Sequence, residues 1–244
     1  MAERWLKMDL HCHCNLDPRD HKMCDASPES LIAEAGRLGY QVLAITCHNL
    51  DVWNRELAKY AEDHGITLIP GMEVDVEGRR HALVYNFTGS ARDLSTLSAI
   101  RERRGKDTLV IAPHPFFPAP SSLGRLVEKN LDVFDAVECS GFFTTRLDFN
   151  REARRLALRH RKPLVGNADV HFLWQLGKTF SRVYAEPDIL SIIEAIKQNR
   201  VQVEKHALTL AEVGRFWGDA LGRILLPQKR VPARTVGRFA PHRP

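Results

Sequence analysis

Histidine and aspartate side chains that could bind metal occur in pairs at two distant places in the chain. The segment KMDLHCHCNLDPRDHKMC, residues 7–24, contains His11 and His13, and a second pair, Asp169 and His171, lies far along the sequence. In an extended strand, residues i and i+2 project from the same face. Each pair can therefore bind one metal ion or two neighbouring ones.

Four further candidates lie at or next to the ends of predicted strands. His48 follows QVLAITC, Glu73 follows ITLIPGM, His81 begins HALVYNF and His114 follows LVIAP. Taken singly, each has a structural interpretation, such as a partly buried histidine or a surface acid. Their common position instead predicts a site at the rim where barrel enzymes gather catalytic groups. Imidazole and carboxylate ligands suit zinc, manganese or iron rather than calcium.

The remaining histidines and the cysteines carry a weaker signal. Five histidines fall in loops or helices without a partner motif: His21, His64, His160, His206 and His242. Five cysteines, an odd number, do not indicate a disulfide framework. Strand alternation places Cys12 and Cys14 on the face opposite His11 and His13, so we expect them to pack as small apolar side chains.

Apolar runs of strand length alternate with amphipathic runs of helix length along the chain, which is typical of an α/β protein with a parallel sheet. In SPESLIAEAGRLG, for example, Ser27 is a candidate N-cap, Pro28 stands at the first helical position and Gly39 ends the helix. No linker rich in Gly, Pro or Ser interrupts the roughly seven βα units. The pattern predicts a closed or nearly closed barrel as a single domain over residues 1–226.

Composition and charge bound the class of protein. The chain has 244 residues, 44% of them hydrophobic, with no apolar run long enough to cross a membrane and no apolar leader, so we expect a cytoplasmic protein. The net charge of +5 comes from the segment 227–244, which has five Lys or Arg and no acid. We expect this tail to be a disordered basic extension; an arm that contacts phosphates is the alternative.

Six short motifs occur together in one order: DLHCH, AITCH, GME, HALVY, APHP and GNADVH. In that order, from about residue 8 to 172, they resemble the PHP family, named for polymerases and histidinol phosphatases. The resemblance implies a distorted TIM-like (β/α)7 barrel that binds two or three divalent ions (Zn, Mn or Fe) and hydrolyses phosphoesters. Cys47 stands where many members have an aspartate that is not usually a ligand.

The resemblance also implies three groups of ligands. The first metal would be bound by His11, His13, Glu73 and Asp169. Glu73 would bridge to a second metal, completed by His81 and His114. The third would be bound by His48, His171 and an acid from the loop after the first strand, for which Asp17 is preferred over Asp20, and His21 comes third.

The expected reaction is hydrolysis of a phosphomonoester or phosphodiester by a hydroxide that bridges the metals. Asp169 and His171 are the predicted catalytic residues, as proton acceptor and as assistant to the leaving oxygen. Candidates for a phosphate clamp are Arg19, Arg146, Lys178 and Arg182. Because the body of the chain is formally neutral, the expected substrate is a small phosphorylated metabolite or nucleotide, and nucleic acid is not favoured. The oligomeric state is not readable from the sequence.

Two alternatives remain open. A metal-dependent amidohydrolase also begins with His-x-His on its first strand, but such enzymes usually bridge their metals with a lysine where this chain has Glu73. The second alternative is a non-catalytic metal-binding PHP module associated with nucleic-acid metabolism. The presence of nearly all ligand positions favours an enzyme over this module.

Overall fold

Strands and helices alternate along residues 2–225, the part of the chain that the computed structural model describes. The strands in this part are β1 Arg4–Asp9, β2 Val42–Leu43, β3 Thr67–Leu68, β4 Gly71–Val76, β5 Arg80–Tyr85, β6 Leu109–Ala112, β7 Ala136–Ser140, β8 Leu164–Asn167, β9 Thr179–Ala185 and β10 Val201–Lys205. The helices are α1 Pro28–Arg37, α2 Arg55–Asp63, α3 Leu97–Arg103, α4 Leu126–Lys129, α5 Asn150–Arg159, α6 Ile189–Lys197 and α7 Leu210–Leu225. The basic tail, residues 227–244, lies outside the described residues.

Side-chain caps start several of these helices at the predicted places. The Ser27 hydroxyl accepts a hydrogen bond from the Ser30 backbone N–H at 3.2 Å, and Pro28 occupies the first turn of α1. The Asn54 side chain caps α2 in the same way, accepting from the Leu57 N–H at 2.9 Å. Each cap satisfies a donor that has no partner within the helix. The helix predicted after Ser27 is confirmed.

The strands form two mixed five-stranded sheets, in the orders β10-β9-β1-β2-β3 and β4-β5-β6-β7-β8. The predicted α/β class is confirmed, but the sheets are mixed rather than parallel, and the described residues do not show a closed barrel. The run ITLIPGMEV, predicted as one strand, divides at Pro70, which has no N–H for a ladder, into β3 and β4 of different sheets. A tight turn makes β4 and β5 an antiparallel pair, and β9 also runs antiparallel to β1.

Two isolated parallel bridges connect the sheets at the end where the candidate ligands lie. Cys12 after β1 pairs with Val170 after β8, and His48 after β2 pairs with Glu73 in β4. Below them, an apolar core that includes Leu6, Met8 and Leu83 fills the space between residues of both sheets. The two sheets thus bring distant segments together above a shared core.

Two elements were not expected from the sequence, β10 and α7. The residues of β10 are exposed or half-buried at a sheet edge, so they lack a strong apolar pattern. Helix α7 carries Gly214, Gly218 and Gly222, which weaken a sequence-based helix assignment. None of the helices within residues 2–225 combines the length and the apolar character needed to span a lipid bilayer.

Candidate metal centre

The structure brings the nine predicted ligands together at one end of the two sheets. Asp169 and His171 are half-buried, and the other seven are buried: His11, His13, Asp17, His48, Glu73, His81 and His114. Two of them have unusual backbone conformations, with positive φ values of 26° at His114 and 54° at Asp169. Residues other than glycine rarely adopt such values, although Asp and His do so more often than most.

Several of the distances among four side chains are those expected between donors around one ion. The Nε2 atoms of His11 and His13 lie 3.2 Å apart, and Oε2 of Glu73 is 3.4 Å from each of them. Oδ1 of Asp169 is 3.4 and 3.3 Å from the same two nitrogens. A tetrahedron with metal–ligand bonds of about 2.0–2.1 Å has edges of about 3.3–3.4 Å. The donor set and its spacing therefore fit a divalent metal ion.

The second oxygen of Glu73 faces a different pair of histidines. Oε1 lies 2.6 Å from Nδ1 of His81 and 3.2 Å from Nε2 of His114. Glu73 thus stands between two groups of possible ligands, which is the arrangement of a bridging carboxylate.

Asp17 is directed inward, but its oxygens are already occupied. Its carboxylate accepts hydrogen bonds from the backbone N–H groups of Arg19, Asp20 and His48 at 2.8–2.9 Å. It also lies 2.8 Å from Nδ1 of His13 and 3.0 Å from Nδ1 of His48. Burial alone would raise the pKa of Asp17, but these two imidazoles lower it well below its usual range. Asp17 is therefore suited to orienting metal-binding histidines.

Asp20 has the freer carboxylate. Its Oδ2 atom is 3.4 Å from Nε2 of His171 and 3.8 Å from Nδ1 of His48. His21, in contrast, is exposed. Nε2 of His48 lies 3.2 Å from Oε2 of Glu73, whereas His171 lies nearest to Asp20 and Asp169.

Helix α7 anchors the two loops that carry Asp20 and His171. Arg223 donates hydrogen bonds to the backbone carbonyls of Lys22 and Cys24 at 3.1 and 2.7 Å. The indole N–H of Trp174 donates to Asp219 of α7 at 3.2 Å. The C-terminal helix thus connects the first and the last ligand-bearing loops.

Glu138, in the middle of β7, is a candidate functional residue that the sequence prediction did not include. It is fully buried, and its Oε1 accepts from the side-chain amide of Asn167 at 2.8 Å and lies 2.9 Å from Nδ1 of His11. Its Oε2 accepts the His114 backbone N–H at 2.6 Å. A hydrogen bond from Nδ1–H leaves Nε2 of His11 as the metal-binding atom. A charged residue within the apolar strand AVECS was the available signal.

Asp9 supports the same corner of the site from beneath. It is fully buried, and its carboxylate accepts the backbone N–H groups of His11 at 3.1 Å and Ala168 at 3.2 Å. Burial raises the pKa of Asp9 to about 8. Asp9 thus links the loop after β1 to the loop after β8, which carries Asp169.

Replacing Glu138 by glutamine is expected to weaken metal binding about 10- to 100-fold, as is typical when a partner of a metal-binding histidine is changed. The amide keeps the shape but cannot accept from all three donors that surround the carboxylate. Competition with a chromogenic zinc chelator would measure the affinity. Glu128→Gln, on the exposed side of α4, is the matched control, and equal affinity of the two variants would refute this role of Glu138.

The cysteines lie on the far side of the ligand-bearing loops. All five are free and buried, and Cys12, Cys14 and Cys47 belong to an apolar cluster. The sulfur atoms of Cys14 and Cys47 are 3.4 Å apart. This packing agrees with the alternation predicted for the first strand.

The double variant Cys12→Ala, Cys14→Ala is accordingly expected to keep its full metal content, because neither thiol faces the ligand groups. Elemental analysis of the purified protein would count the ions per chain, with His11→Ala as the comparison that loses metal. Loss of an ion from the cysteine variant would show that a thiolate is a ligand.

Of the four cations considered for a phosphate clamp, the structure places Arg19 beside the ligands. Its Nη1 atom donates to Nε2 of His81 at 2.8 Å. Lys178 pairs with Glu212, and Arg182 pairs with Glu204. Arg146 is exposed on the loop after β7.

Fold and site together define an α/β protein with a dispersed cluster of histidines and carboxylates that fits divalent metals. The PHP domain model matches residues 9–166, and the PHP-associated model matches residues 148–201. The chain belongs to the PHP family. The uncharacterized protein MJ1587 of Methanocaldococcus jannaschii is 30% identical over 147 residues, which are 56% of this chain and 85% of that protein.

Solved structures with a similar fold carry several functional names. A two-domain Bacteroides vulgatus protein containing a predicted PHP-like metal-dependent phosphoesterase has a TM-score of 0.65 and 20% identity, covering 89% of this chain and 70% of that one. The lesion-specific endonuclease EndoQ from Pyrococcus furiosus has a TM-score of 0.56 and 19% identity, over 82% and 58%. A Chromobacterium violaceum amidohydrolase has a TM-score of 0.57 and 15% identity, over 84% and 99%. These likenesses show a shared fold.

Proposed function

We propose that this protein is a metal-dependent phosphoesterase that hydrolyses the phosphomonoester of a small metabolite or nucleotide. The observation that carries the proposal is the position of Glu73, whose two carboxylate oxygens face two separate groups of ligands. A carboxylate shared by two metals is suited to phosphoryl transfer, because charge develops on several oxygens at once.

In this proposal, two or three divalent ions bind, and zinc, manganese and iron all suit the donors. The first would be bound by His11, His13, Glu73 and Asp169, and the second by Glu73, His81 and His114. The third would be bound by His48, Asp20 and His171, with Asp20 replacing our first choice, Asp17. When bound, the ions supply Lewis acidity that lowers the pKa of water and neutralises phosphoryl oxygens.

The protein's own groups would move the protons and orient the substrate. The Asp169 side chain is 25% exposed, so a water molecule can reach it. Burial alone would raise the pKa of Asp169, but His11 and His13 lower it well below its usual range, and the carboxylate stays ionised at neutral pH. We assign it as the acceptor of the proton from the attacking water. His171, whose Nδ1 lies 3.6 Å from Asp169, would assist the leaving oxygen.

A panel of aryl phosphomonoesters, phosphodiesters and amides, assayed with added manganese or zinc, tests the proposal. We expect the highest turnover with the monoester and loss of this turnover after chelation. His11→Ala is the inactive control. Turnover of amides alone would identify an amidohydrolase. Bound metal without any turnover would identify the non-catalytic module.

A further inference from the structure

Helix α7 carries a row of large apolar side chains that the rest of residues 2–225 leaves exposed. Leu210, Trp217, Leu221, Ile224 and Leu225 are each between 52% and 79% exposed. Single exposed apolar residues are ordinary on protein surfaces, whereas a contiguous apolar patch marks an interaction site. The exposed row of α7 is therefore a candidate binding surface.

The exposed row has the spacing of a helix that pairs with another helix. Leu210, Gly214, Trp217, Leu221 and Ile224 are separated alternately by four and three residues. Core positions of a coiled coil alternate in this way, and the spacing places all five positions on one side of the helix. The sequence of α7 thus favours a helical partner.

The opposite side of α7 is fixed to the body of the protein. Phe216 is buried, and its ring centroid lies 5.0 Å from that of Phe142 and 5.6 Å from that of Phe172. Asp219 and Arg223 form hydrogen bonds with the ligand-bearing loops. The exposed row therefore belongs to a helix whose orientation is set by the rest of the fold.

The area of the exposed row suits a second copy of the same chain. An aromatic side chain has about 150–250 Å² of surface and an aliphatic one somewhat less, so five that are more than half exposed offer on the order of 500 Å². Two copies that face each other would bury about 1,000 Å², the size at which specific interfaces begin. The row contains no charged residue, so two identical rows can meet without repulsion, as a two-fold symmetric interface requires.

The glycines of α7 give the exposed row a shape that fits an antiparallel copy. A Cβ atom added at Gly214 would meet nothing within 4 Å, so the surface there is open to a partner. In an antiparallel pair in which Leu210 opposes Leu221 of the partner subunit, Trp217 opposes Gly214 of the partner subunit. The largest side chain of the row then fills the place of the smallest, as close packing requires.

A parallel pair fits less well. Each residue would then oppose its own copy, so two Trp217 rings would crowd one layer, and two Gly214 residues would leave the next layer empty. The helix dipoles also favour the antiparallel arrangement, which places each positive end beside a negative end.

We propose that the exposed row of α7 pairs antiparallel with the same row of a second copy, so that the protein is a two-fold symmetric homodimer. This inference does not depend on the proposed phosphoesterase function. Because the opposite side of α7 forms hydrogen bonds with the ligand-bearing loops, the dimer would also hold these loops in place.

Sedimentation equilibrium of the purified full chain and of its Leu221→Glu variant tests the dimer. The wild type is expected to have twice the 27.7 kDa mass of one chain at micromolar concentration. Leu221→Glu should raise the dissociation constant about 10³-fold, because the charge enters the interface twice and loss of one central contact costs roughly 30-fold. Leu158→Glu is the matched control, since Leu158 is 84% exposed on α5, and it should keep the wild-type mass.

The variant Gly214→Leu tests the antiparallel arrangement. In a single chain the added side chain has open space, but in the proposed dimer it would meet Trp217 of the partner subunit. We expect the dissociation constant to rise about tenfold, the scale of an overpacked core position. A tighter dimer would overturn the arrangement, because a parallel pair or non-specific association would gain from the larger apolar surface.

A wild type that stays monomeric at every concentration would overturn the proposal, as would a dimer that survives Leu221→Glu. A wild type that dimerises only after removal of residues 227–244 would also overturn it, because the occupant of the row would then be a segment of the same chain. Far-UV circular dichroism should show wild-type helix content in the variants. Leu210→Glu, at the other end of the row, should dissociate the dimer in the same way and repeats the test if Leu221→Glu does not fold.

Discussion

The variant Glu73→Gln is expected to lose at least one metal ion per chain, and its kcat should fall about 10³-fold, since metal catalysis supplies several kcal/mol and about 1.36 kcal/mol corresponds to each factor of ten. The physical reason is that both Glu73 oxygens face ligand groups, whereas an amide offers only one good acceptor. Steady-state kinetics and elemental analysis of the same preparation would measure both effects.

Glu62→Gln is the matched control for this variant, because Glu62 lies exposed on α2, far from the ligands. It should keep wild-type kcat and metal content. A Glu73→Gln protein with full metal content and wild-type kcat would show that Glu73 does not bridge the two groups.

The variant Asp169→Asn is expected to lower kcat by about 10²- to 10⁴-fold, the usual contribution of a positioned proton acceptor. The metal content should change little, because His11, His13 and Glu73 remain and the asparagine side-chain oxygen can occupy the same place. The low pKa of Asp169 keeps the wild-type carboxylate ionised across the neutral range, and asparagine cannot accept a proton at any pH. Kinetics at saturating metal over roughly one pH unit to either side of neutral would measure the effect.

Full recovery of Asp169→Asn by excess metal would contradict the proposed role, since it would make Asp169 a ligand only. Asp63→Asn, which changes an exposed carboxylate on α2, is the control for the loss of a single negative charge. It should leave both kcat and its pH dependence unchanged.

The positions of the candidate ligands were predictable because strand ends collect polar side chains wherever the interior of the sheet is apolar. His11, Glu73 and His114 lie within or just after apolar strands, and the folded chain brings them together. The start of α1 was predictable for a local reason, because Ser27 and Pro28 satisfy and shape the first turn without help from distant residues. Local patterns of this kind do not depend on the rest of the fold.

The division into two sheets was not predictable, because it depends on which strands pair. ITLIPGMEV and HALVYNF were predicted as consecutive strands, but only the folded structure shows that the turn before Arg80 pairs them antiparallel. The choice between Asp17 and Asp20 also depends on tertiary contacts. Three backbone N–H groups and two imidazoles occupy the Asp17 carboxylate, and one of those imidazoles comes from His48 in a distant loop.

The contacts that Glu138 makes with the candidate ligands also could not be predicted from the sequence. Its partners, His11, His114 and Asn167, come from three other segments, and no spacing in the sequence connects them. Only the folded structure shows that this buried glutamate in β7 has hydrogen-bond partners.

The central claim, hydrolysis of a phosphomonoester that needs more than one bound metal, is tested most directly by a reconstitution titration. Metal-free protein would receive manganese or zinc in steps while the hydrolysis of p-nitrophenyl phosphate is followed. We predict negligible turnover below one ion per chain and a steep rise as the second ion binds. No turnover at any occupancy, or turnover that persists in the metal-free protein, would contradict the claim.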